Sequence, residues 1–252
     1  MLPSSMKYRT QKQLIKEASK KSVEIFGNSD DSPYTPKSNN YAYFPGMYYF
    51  NKGTITPDMI ERLQDGATML SVGSGDGHLE RLLCQGFQIP KKQISVSDVK
   101  LDPEIIPSGF PSYEFDMTKP WPKFEQDFDY ILFPESLGVA MIKLKLNQKG
   151  DSTYRFYPHI DNDAERIIQG EMPLNPEFFQ EVIEQDLPEA SKKYEIIKEA
   201  ITRLNPYGEV RIKFGIDSNQ QKAYVMQRLR NEYSDILFPP PNQNSNFTIK
   251  RK

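Results

Sequence analysis

Apolar residues along the chain fall into short runs typical of buried strands and into spaced patterns typical of helices. The strand pattern occurs at residues 67–72, 93–97, 113–115, 129–133 and 209–214, followed by two short candidates at 235–238 and 246–250. Helical spacing occurs at residues 6–26, 57–65, 78–85, 188–204 and 220–233. Because strands alternate with helices or long connections, the sequence predicts a three-layer α/β fold with a mainly parallel sheet covered on both faces.

Local signals indicate where several of these elements begin and end. Gly27-Asn28-Ser29 is predicted to end the first helix. Thr56 is predicted to cap a short helix that starts at Pro57 and stops before Gly66. Asn205-Pro206-Tyr207-Gly208 is predicted to be a turn leading into the fifth strand.

The sequence separates into an N-terminal extension and a main domain. Residues 1–55 are predicted to form a helical and aromatic extension, because the segment 41–50 is too aromatic for a free linker. Residues 56–252 form the main domain. Within this domain, the segment 141–187 is longer than a typical crossover connection between two strands. Its length predicts an insertion that lies at the carboxyl ends of the strands and has a binding role. An insertion that only covers apolar surface is the alternative.

Composition and charge narrow the classes of function. The formal net charge is −2 and Lys and Arg are spread along the chain, which disfavours a nucleic-acid partner. The one cysteine, Cys84, gives neither an intrachain disulfide nor a structural zinc site, so a cytoplasmic location and no metal are expected. Met1–Ile25 lacks the apolar core of a signal peptide, and no stretch approaches the roughly 18 apolar residues of a membrane span. Neither conventional export nor a membrane partner is therefore expected.

Three glycines at alternate positions follow the first predicted strand, in Gly73-Ser74-Gly75-Asp76-Gly77. Glycine permits a tight turn and a close approach to a ligand, and amide groups at the start of the next helix favour an anionic group. A turn that only packs the helix on the strand is the alternative. The dinucleotide fingerprint requires a further glycine at position 78, where this chain has His78, so NAD or FAD is the weaker interpretation.

Carboxylates end the next two predicted strands. Asp98, followed by Val99, ends the second strand, where a carboxylate can accept both hydroxyls of a ribose. Asp116 ends the third strand, where its carboxylate can accept an adenine amino group while the backbone N–H of Met117 donates to the ring. A surface aspartate at position 98 and an aspartate that begins a turn at position 116 are the alternatives.

The order of these motifs resembles that of the class I S-adenosylmethionine-dependent methyltransferases over residues 67–250. The motifs are the glycine turn, Asp98, Asp116-Met117, Phe128-Asp129-Tyr130-Ile131-Leu132-Phe133-Pro134-Glu135 and Leu204-Asn205-Pro206-Tyr207-Gly208. The resemblance implies a Rossmann-like methyltransferase fold with a mostly parallel seven-stranded sheet whose last strand is antiparallel. It also implies S-adenosyl-L-methionine as the cofactor.

The resemblance assigns a part of the cofactor to each motif. The three glycines of the turn would face the methionine part, Asp98 the ribose, and Asp116 with Met117 the adenine. Pro134 and Glu135 would border the methyl group. The expected cofactor-binding residues are Ser71, Gly73, Ser74, Gly75, Gly77, Asp98, Val99, Asp116, Met117 and Pro134.

Two departures from the family pattern affect these expectations. Ser71 stands where the family usually has an acidic residue, and a hydroxyl carries no charge to meet the ammonium group of the cofactor. Phe133-Pro134-Glu135-Ser136 differs from the Asn/Asp-Pro-Pro-aromatic motif of amino-methylating nucleic-acid enzymes, which further disfavours a nucleic-acid substrate.

The expected function is transfer of a methyl group from S-adenosylmethionine to an oxygen or nitrogen of a small molecule. Glu135 and His159 are the candidate catalytic residues, as groups that can orient or deprotonate a nucleophile. The small-molecule substrate rests on the sequence pI of about 5.9 and on the insertion. A decayed binding module that contacts a protein, a protein-directed methyltransferase and a nucleotide-dependent oxidoreductase are the alternatives, and the sequence leaves the oligomeric state open.

Overall fold

The computed structural model describes most of the strands and helices of the chain. The residues described are 10–27, 49–50, 53–75, 77–101, 109–134, 166, 190–213, 219–238 and 246–252. The chain divides into two compact units, Met1–Glu114 and Phe115–Lys252. Of the predicted insertion at 141–187, Arg166 is the described residue, and it is helical and exposed. The predicted boundary between residues 55 and 56 stays a prediction.

Seven strands form the sheet. They are β1 (Met69–Val72), β2 (Ile94–Asp98), β3 (Ser112–Glu114), β4 (Phe128–Phe133), β5 (Leu204–Lys213), β6 (Ile236–Leu237) and β7 (Asn246–Arg251). The strand order is β3-β2-β1-β4-β5-β7-β6. In the first unit, β2 runs parallel to both β1 and β3. In the second unit, β4 and β5 are parallel, and β7 is antiparallel to β5 and β6. The predicted seven-stranded sheet with an antiparallel last strand is confirmed.

The longer helical segments among the described residues are labelled α1 to α5. They are α1 (Gln11–Phe26), α2 (Pro57–Gln64), α3 (His78–Arg81), α4 (residues 190–202) and α5 (Asn219–Glu232). A π-helical turn, Leu82–Gly86, continues α3, and a 3₁₀ turn, Lys91–Gln93, precedes β2. Among the residues that the structure describes, none of the helices is both long and apolar enough to cross a membrane.

The start of α2 differs from its prediction. Met59, Ile60 and Leu63 are buried on one face, as the spacing predicts. Thr56 occupies the N-cap position, as predicted, but its side chain makes no capping hydrogen bond to the helix. Pro57 already fixes the backbone angle of the first helical residue, and Asp58 lies in the first turn, where a negative charge favours the helix dipole. The helix therefore begins without the hydroxyl.

A buried glutamine connects α2 with the sheet of the first unit. Nε2 of Gln93 donates to the carbonyl oxygens of Leu63 at 2.8 Å and of Ala67 at 3.0 Å. These carbonyls lie at the end of α2 and in the short connection before β1. Because buried carbonyl groups need donors, Gln93 fixes the point at which the chain enters β1.

The second unit is built on a buried strand with an irregular neighbour. Phe128 of β4 pairs with Leu204, whereas Tyr130 pairs with Glu209, so residues 205–208 bulge out of register. The predicted turn at these residues is therefore a bulge inside β5, which begins at Leu204 rather than at Glu209. Tyr207 occupies the bulge with a φ of 64° and is 74% exposed.

The bulge predicts opposite effects for two neighbouring substitutions. A Cβ at Gly208 would lie 2.9 Å from the carbonyl oxygen of Asn205 and 3.1 Å from that of Phe128. Gly208→Ala is therefore expected to lower the free energy of unfolding by about 1–3 kcal/mol, the usual cost of overpacking. Tyr207→Gly relieves a left-handed backbone and is expected to raise it by up to about 1 kcal/mol. Urea denaturation measures both, and equal effects of the two variants would contradict this description of the bulge.

Candidate functional site

The turn between β1 and α3 has the backbone of a glycine turn. Gly73, Gly75 and Gly77 have φ values of 76°, 57° and 68°. These values lie in the left-handed region, which glycine enters without the steric cost that a Cβ imposes. The three glycines are therefore required by the path of the chain. Asp76 lies outside the described residues.

The amides of this turn are directed at the end of β2. The N–H groups of Gly73 and Ser74 both donate to the carbonyl oxygen of Ser97, at 2.7 and 2.9 Å. The N–H of Gly77 donates to the carbonyl oxygen of Ser74 at 3.0 Å. The N–H of Gly75 donates to Oδ2 of Asp98 at 3.0 Å. Each of these turn amides already has an acceptor within the protein. The predicted preference of the amides at the start of α3 for an anionic group stays a prediction.

Asp98 joins the strand end to the turn. Its Oδ2 accepts from Gly75, and its Oδ1 accepts from the N–H of Val99 at 2.7 Å. Each oxygen of a carboxylate can accept more than one hydrogen bond, so both retain capacity for a ligand hydroxyl. The side chain that the sequence selects as a ribose acceptor thus also holds the turn.

Open space lies beside this carboxylate. A Cβ built on Gly75 meets no heavy atom within 4 Å among the described residues. Val99, the next residue after Asp98, exposes 54% of its surface. An apolar side chain and a hydrogen-bond acceptor at the same strand end suit a ligand with one apolar face and several hydroxyl groups, such as a nucleoside.

Ser71 lies in β1, two positions before the turn, and is fully buried. Its carbonyl oxygen accepts from Oγ of Ser97 at 3.0 Å. Its own Oγ has no hydrogen-bond partner among the described residues. The hydroxyl therefore does not hold the backbone of the turn, a role that the structure gives to Ser97 and Asp98.

In the second unit, Asp116 begins a turn, which was the alternative interpretation of this residue. Its Oδ1 accepts from the N–H of Thr118 at 2.9 Å and from the hydroxyl of Thr118 at 2.7 Å. Burial opposes ionisation of Asp116, but the bonds from Thr118 and the charges of Lys119 and Lys192 outweigh it and hold the pKa of its carboxyl below the ordinary value.

Met117 and Pro134, also in the second unit, are both buried. Nε1 of Trp121 donates to the carbonyl oxygen of Met117 at 3.2 Å. Glu135 and His159, the two catalytic candidates, lie outside the described residues, and their roles stay predictions.

The strand order and the glycine turn together decide the type of fold. The resemblance implies a mostly parallel seven-stranded sheet with an antiparallel last strand, and the structure has this sheet, with the order β3-β2-β1-β4-β5-β7-β6 and a glycine turn directly after β1. The chain has a class I methyltransferase-like fold.

The chain is similar in structure to several solved proteins. No family model matches the chain, and no characterised protein matches its sequence. The magnesium protoporphyrin IX methyltransferase of Synechocystis, solved with bound S-adenosylmethionine, is 9% identical, with a TM-score of 0.44 and coverage of 99% of this chain and 100% of the other. The N-methyltransferase NodS of Bradyrhizobium japonicum, solved with S-adenosylhomocysteine, is 13% identical, with a TM-score of 0.42 and coverage of 93% and 98%.

A third similar structure is longer than this chain. It is an amino pentose methyltransferase from Micromonospora, 11% identical, with a TM-score of 0.31. The match covers 71% of this chain and 58% of that protein, so the chain spans less than two thirds of its length.

Sequence reasoning missed Ser97 as a residue of the candidate site. Its carbonyl accepts two amides of the turn, and its hydroxyl binds the carbonyl of Ser71. The available signal was its position. Ser97 pairs in register with Val72, the last residue of β1, so the chain leaving β1 must pass over the end of β2 at this residue.

The turn bond of Asp98 predicts a local effect of substitution. Asp98→Ala removes the acceptors of Gly75 and Val99, so the amide hydrogens of both residues are expected to exchange faster with solvent. NMR hydrogen exchange on the ligand-free protein measures this rate. Asp65→Ala, which removes an exposed carboxylate from the same unit, is the matched control. Unchanged exchange at Gly75 in the Asp98 variant would show that the carboxylate does not hold the turn.

The turn at Asp116 predicts a change in titration. Thr118→Val removes the hydroxyl donor, so the pKa of Asp116 is expected to rise toward the ordinary value of 3.8. The lowered pKa of the native carboxyl stabilises the fold above pH 3.8, and this stabilisation disappears as the pH falls through the folded-state pKa. NMR titration of the carboxyl carbon gives the pKa directly, and an identical midpoint in the variant would contradict the assigned bond.

Proposed function

We propose that the chain binds S-adenosylmethionine at the glycine turn and transfers its methyl group to an oxygen or nitrogen of a small molecule. The observation that carries the proposal is the closure of the glycine turn by Asp98. Because Oδ2 accepts the N–H of Gly75, a carboxylate lies beside the glycine turn, where it can accept ligand hydroxyls.

The hydrogen bonds and charges at the turn bear on whether it binds a dinucleotide with a pyrophosphate or S-adenosylmethionine. A pyrophosphate needs free N–H donors or cations, whereas the described amides at 73, 74, 75 and 77 all have internal acceptors. The carboxylate of Asp98 would also repel it. S-adenosylmethionine carries ribose hydroxyls that donate to a carboxylate, together with a positively charged sulfonium and no phosphate. The ribose hydroxyls of NAD could donate to the same carboxylate. The positive charge and the absence of phosphate therefore favour the sulfonium ligand over NAD or FAD.

The chain's residues would hold the cofactor in parts. Asp98 accepts the ribose hydroxyls while Val99 offers an apolar surface to the nucleoside. Gly73, Gly75 and Gly77 face the methionine part, and a Cβ at Gly75 would enter space that no described residue fills. In this arrangement Ser71 meets the ammonium end with a neutral hydroxyl, so binding there rests on hydrogen bonding without a charge pair.

Adenine recognition and the methyl acceptor depend on residues of the second unit. We assign the adenine to Asp116 and Met117, and the border of the methyl group to Pro134. When bound, the sulfonium supplies an electrophilic methyl group to the acceptor atom. Glu135 or His159 would orient that acceptor or take its proton. Beyond this, methyl transfer requires that the protein place the acceptor atom in line with the methyl group and exclude water from the site.

A module that has lost catalysis and contacts a protein is the second candidate, and Ser71 favours it. Without a carboxylate at this position, a bound cofactor lacks the charge partner that the family pattern provides. A protein-directed methyltransferase shares the cofactor site with the first proposal and differs from it in the acceptor. The proposed cytoplasmic location rests on the single cysteine.

A bulky side chain in the turn tests the cofactor site. Gly75→Arg places a cation and a long side chain beside Asp98, and we expect it to abolish binding of S-adenosylmethionine and S-adenosylhomocysteine in isothermal titration calorimetry. Gly66→Arg is the matched control, because Gly66 also has a positive φ and no heavy atom within 4 Å of a built Cβ. The control shares the backbone strain, about 1–2 kcal/mol, but lies away from the turn.

Three outcomes decide this test. Binding of both ligands by the native chain and the Gly66 variant, with loss in the Gly75 variant, supports the proposal. Absence of binding by the native chain overturns it. Equal binding of NADH and S-adenosylhomocysteine by the native chain would contradict the charge argument.

A further inference from the structure

Only a short α-helical segment, without a side-chain cap, directly follows the glycine turn. Gly77, at the N-cap of α3, has a left-handed backbone and no side-chain cap. Only His78–Arg81 are α-helical before the π-helical turn Leu82–Gly86 begins. Because no side chain caps this helix, packing contacts from elsewhere in the fold help to fix where α3 begins.

The N-terminal helix α1, in contrast, has a capped first turn with hydrogen bonds to a neighbouring segment. Thr10 and Gln13 form a capping box, in which the Thr10 hydroxyl accepts from the N–H of Gln13 and the Gln13 side chain accepts from the N–H of Thr10. Nε2 of Gln11 donates to the carbonyl oxygens of Phe50 at 2.8 Å and Ile55 at 3.0 Å. The first turn of α1 is thereby tied to the chain that leads into α2.

The middle of α1 packs closely on the π-helical turn. A Cβ at Gly86 would lie 3.2 Å from Cβ of Lys21 and 3.1 Å from Cδ1 of Leu82. The ammonium of Lys21 lies 5.4 Å from the ring centroid of Phe87. The absence of a side chain at position 86 therefore lets the two helical segments approach each other.

The last residue of α1 contacts the first residue of α3. The rings of Phe26 and His78 meet edge to face, with centroids 4.9 Å apart and an interplanar angle of 75°. The guanidinium of Arg81 lies 5.5 Å from the centroid of the Phe26 ring. Phe26 thus contacts both ends of α3, directly beyond Gly77 of the turn.

We infer that Phe26 is a positioning residue for the glycine turn, and that α1 fixes the place at which α3 begins. An aromatic pair contributes about 0.5–1.5 kcal/mol beyond burial, which corresponds to roughly a two- to tenfold change in a local equilibrium. The effect falls on the amides of Gly77 and Arg81, because their acceptors, the carbonyls of Ser74 and Gly77, lie in the turn.

Hydrogen exchange in the ligand-free, full-length protein tests the inference. Phe26→Ala is expected to accelerate exchange at Gly77 and Arg81 roughly two- to tenfold, and to leave Ile131 and Leu132 of β4 unchanged. Phe26→Tyr retains the ring and is expected to restore native exchange. Glu24→Ala, which removes an exposed ion pair with Lys20 from the same end of α1, is the matched control and is expected to have no effect.

Two results would overturn the positioning role. One is native exchange at Gly77 and Arg81 in Phe26→Ala. The other is equal acceleration at every amide measured, including β4, which would indicate general destabilisation. A failure of Phe26→Tyr to restore the rates would likewise overturn it.

A consequence for affinity rests on the proposed function. S-adenosylhomocysteine is expected to bind Phe26→Ala roughly two- to tenfold more weakly than the native chain, and Phe26→Tyr with native affinity. If the native chain binds no S-adenosylhomocysteine, the proposed function fails, and the exchange rates alone decide the positioning role. If it binds and the affinity of Phe26→Ala is unchanged while Gly77 exchanges faster, the coupling of turn position to ligand binding is overturned.

Discussion

Amides in a tight backbone turn need acceptors, and in this chain the end of β2 supplies them. Ser97 provides a carbonyl for Gly73 and Ser74, and Asp98 provides a carboxylate for Gly75. These hydrogen bonds favour the observed conformation of the turn, and the one between Gly75 and Asp98 lies at an exposed position. The path from β1 into α3, and therefore the shape of any ligand site there, follows from the last two residues of a neighbouring strand.

This constraint changes the chemistry of the glycine turn. A turn with free amides is suited to phosphate, whereas a turn closed by a carboxylate is suited to hydroxyl donors and to positive charge. The two turns can have similar glycine spacing and still favour different ligands. In this chain the difference comes from one side chain, Asp98, which serves both the backbone and the open space beside Gly75.

Much of the fold could be predicted because it depends on short-range patterns of apolar residues and glycines in the sequence. The buried run Tyr130–Phe133, the glycine turn and the two short strands after α5 all lie where the sequence placed them, within a few residues. Features that depend on partners distant in sequence were not predictable. The sequence could not show that the Gly75 amide donates to Asp98, or that the pairing of β5 with β4 makes residues 205–208 bulge. The contact between Phe26 and His78 likewise depends on how α1 packs.

The central claim is that ligand hydroxyls bind the carboxylate that holds the turn. NMR titration of the ¹⁵N-labelled chain with S-adenosylhomocysteine tests it most directly, because the amides of Gly75 and Val99 donate to the two oxygens of that carboxylate. The account predicts that these two resonances shift strongly with S-adenosylhomocysteine and remain in place with inorganic pyrophosphate. Shifts at both resonances with pyrophosphate, and none with S-adenosylhomocysteine, would contradict it.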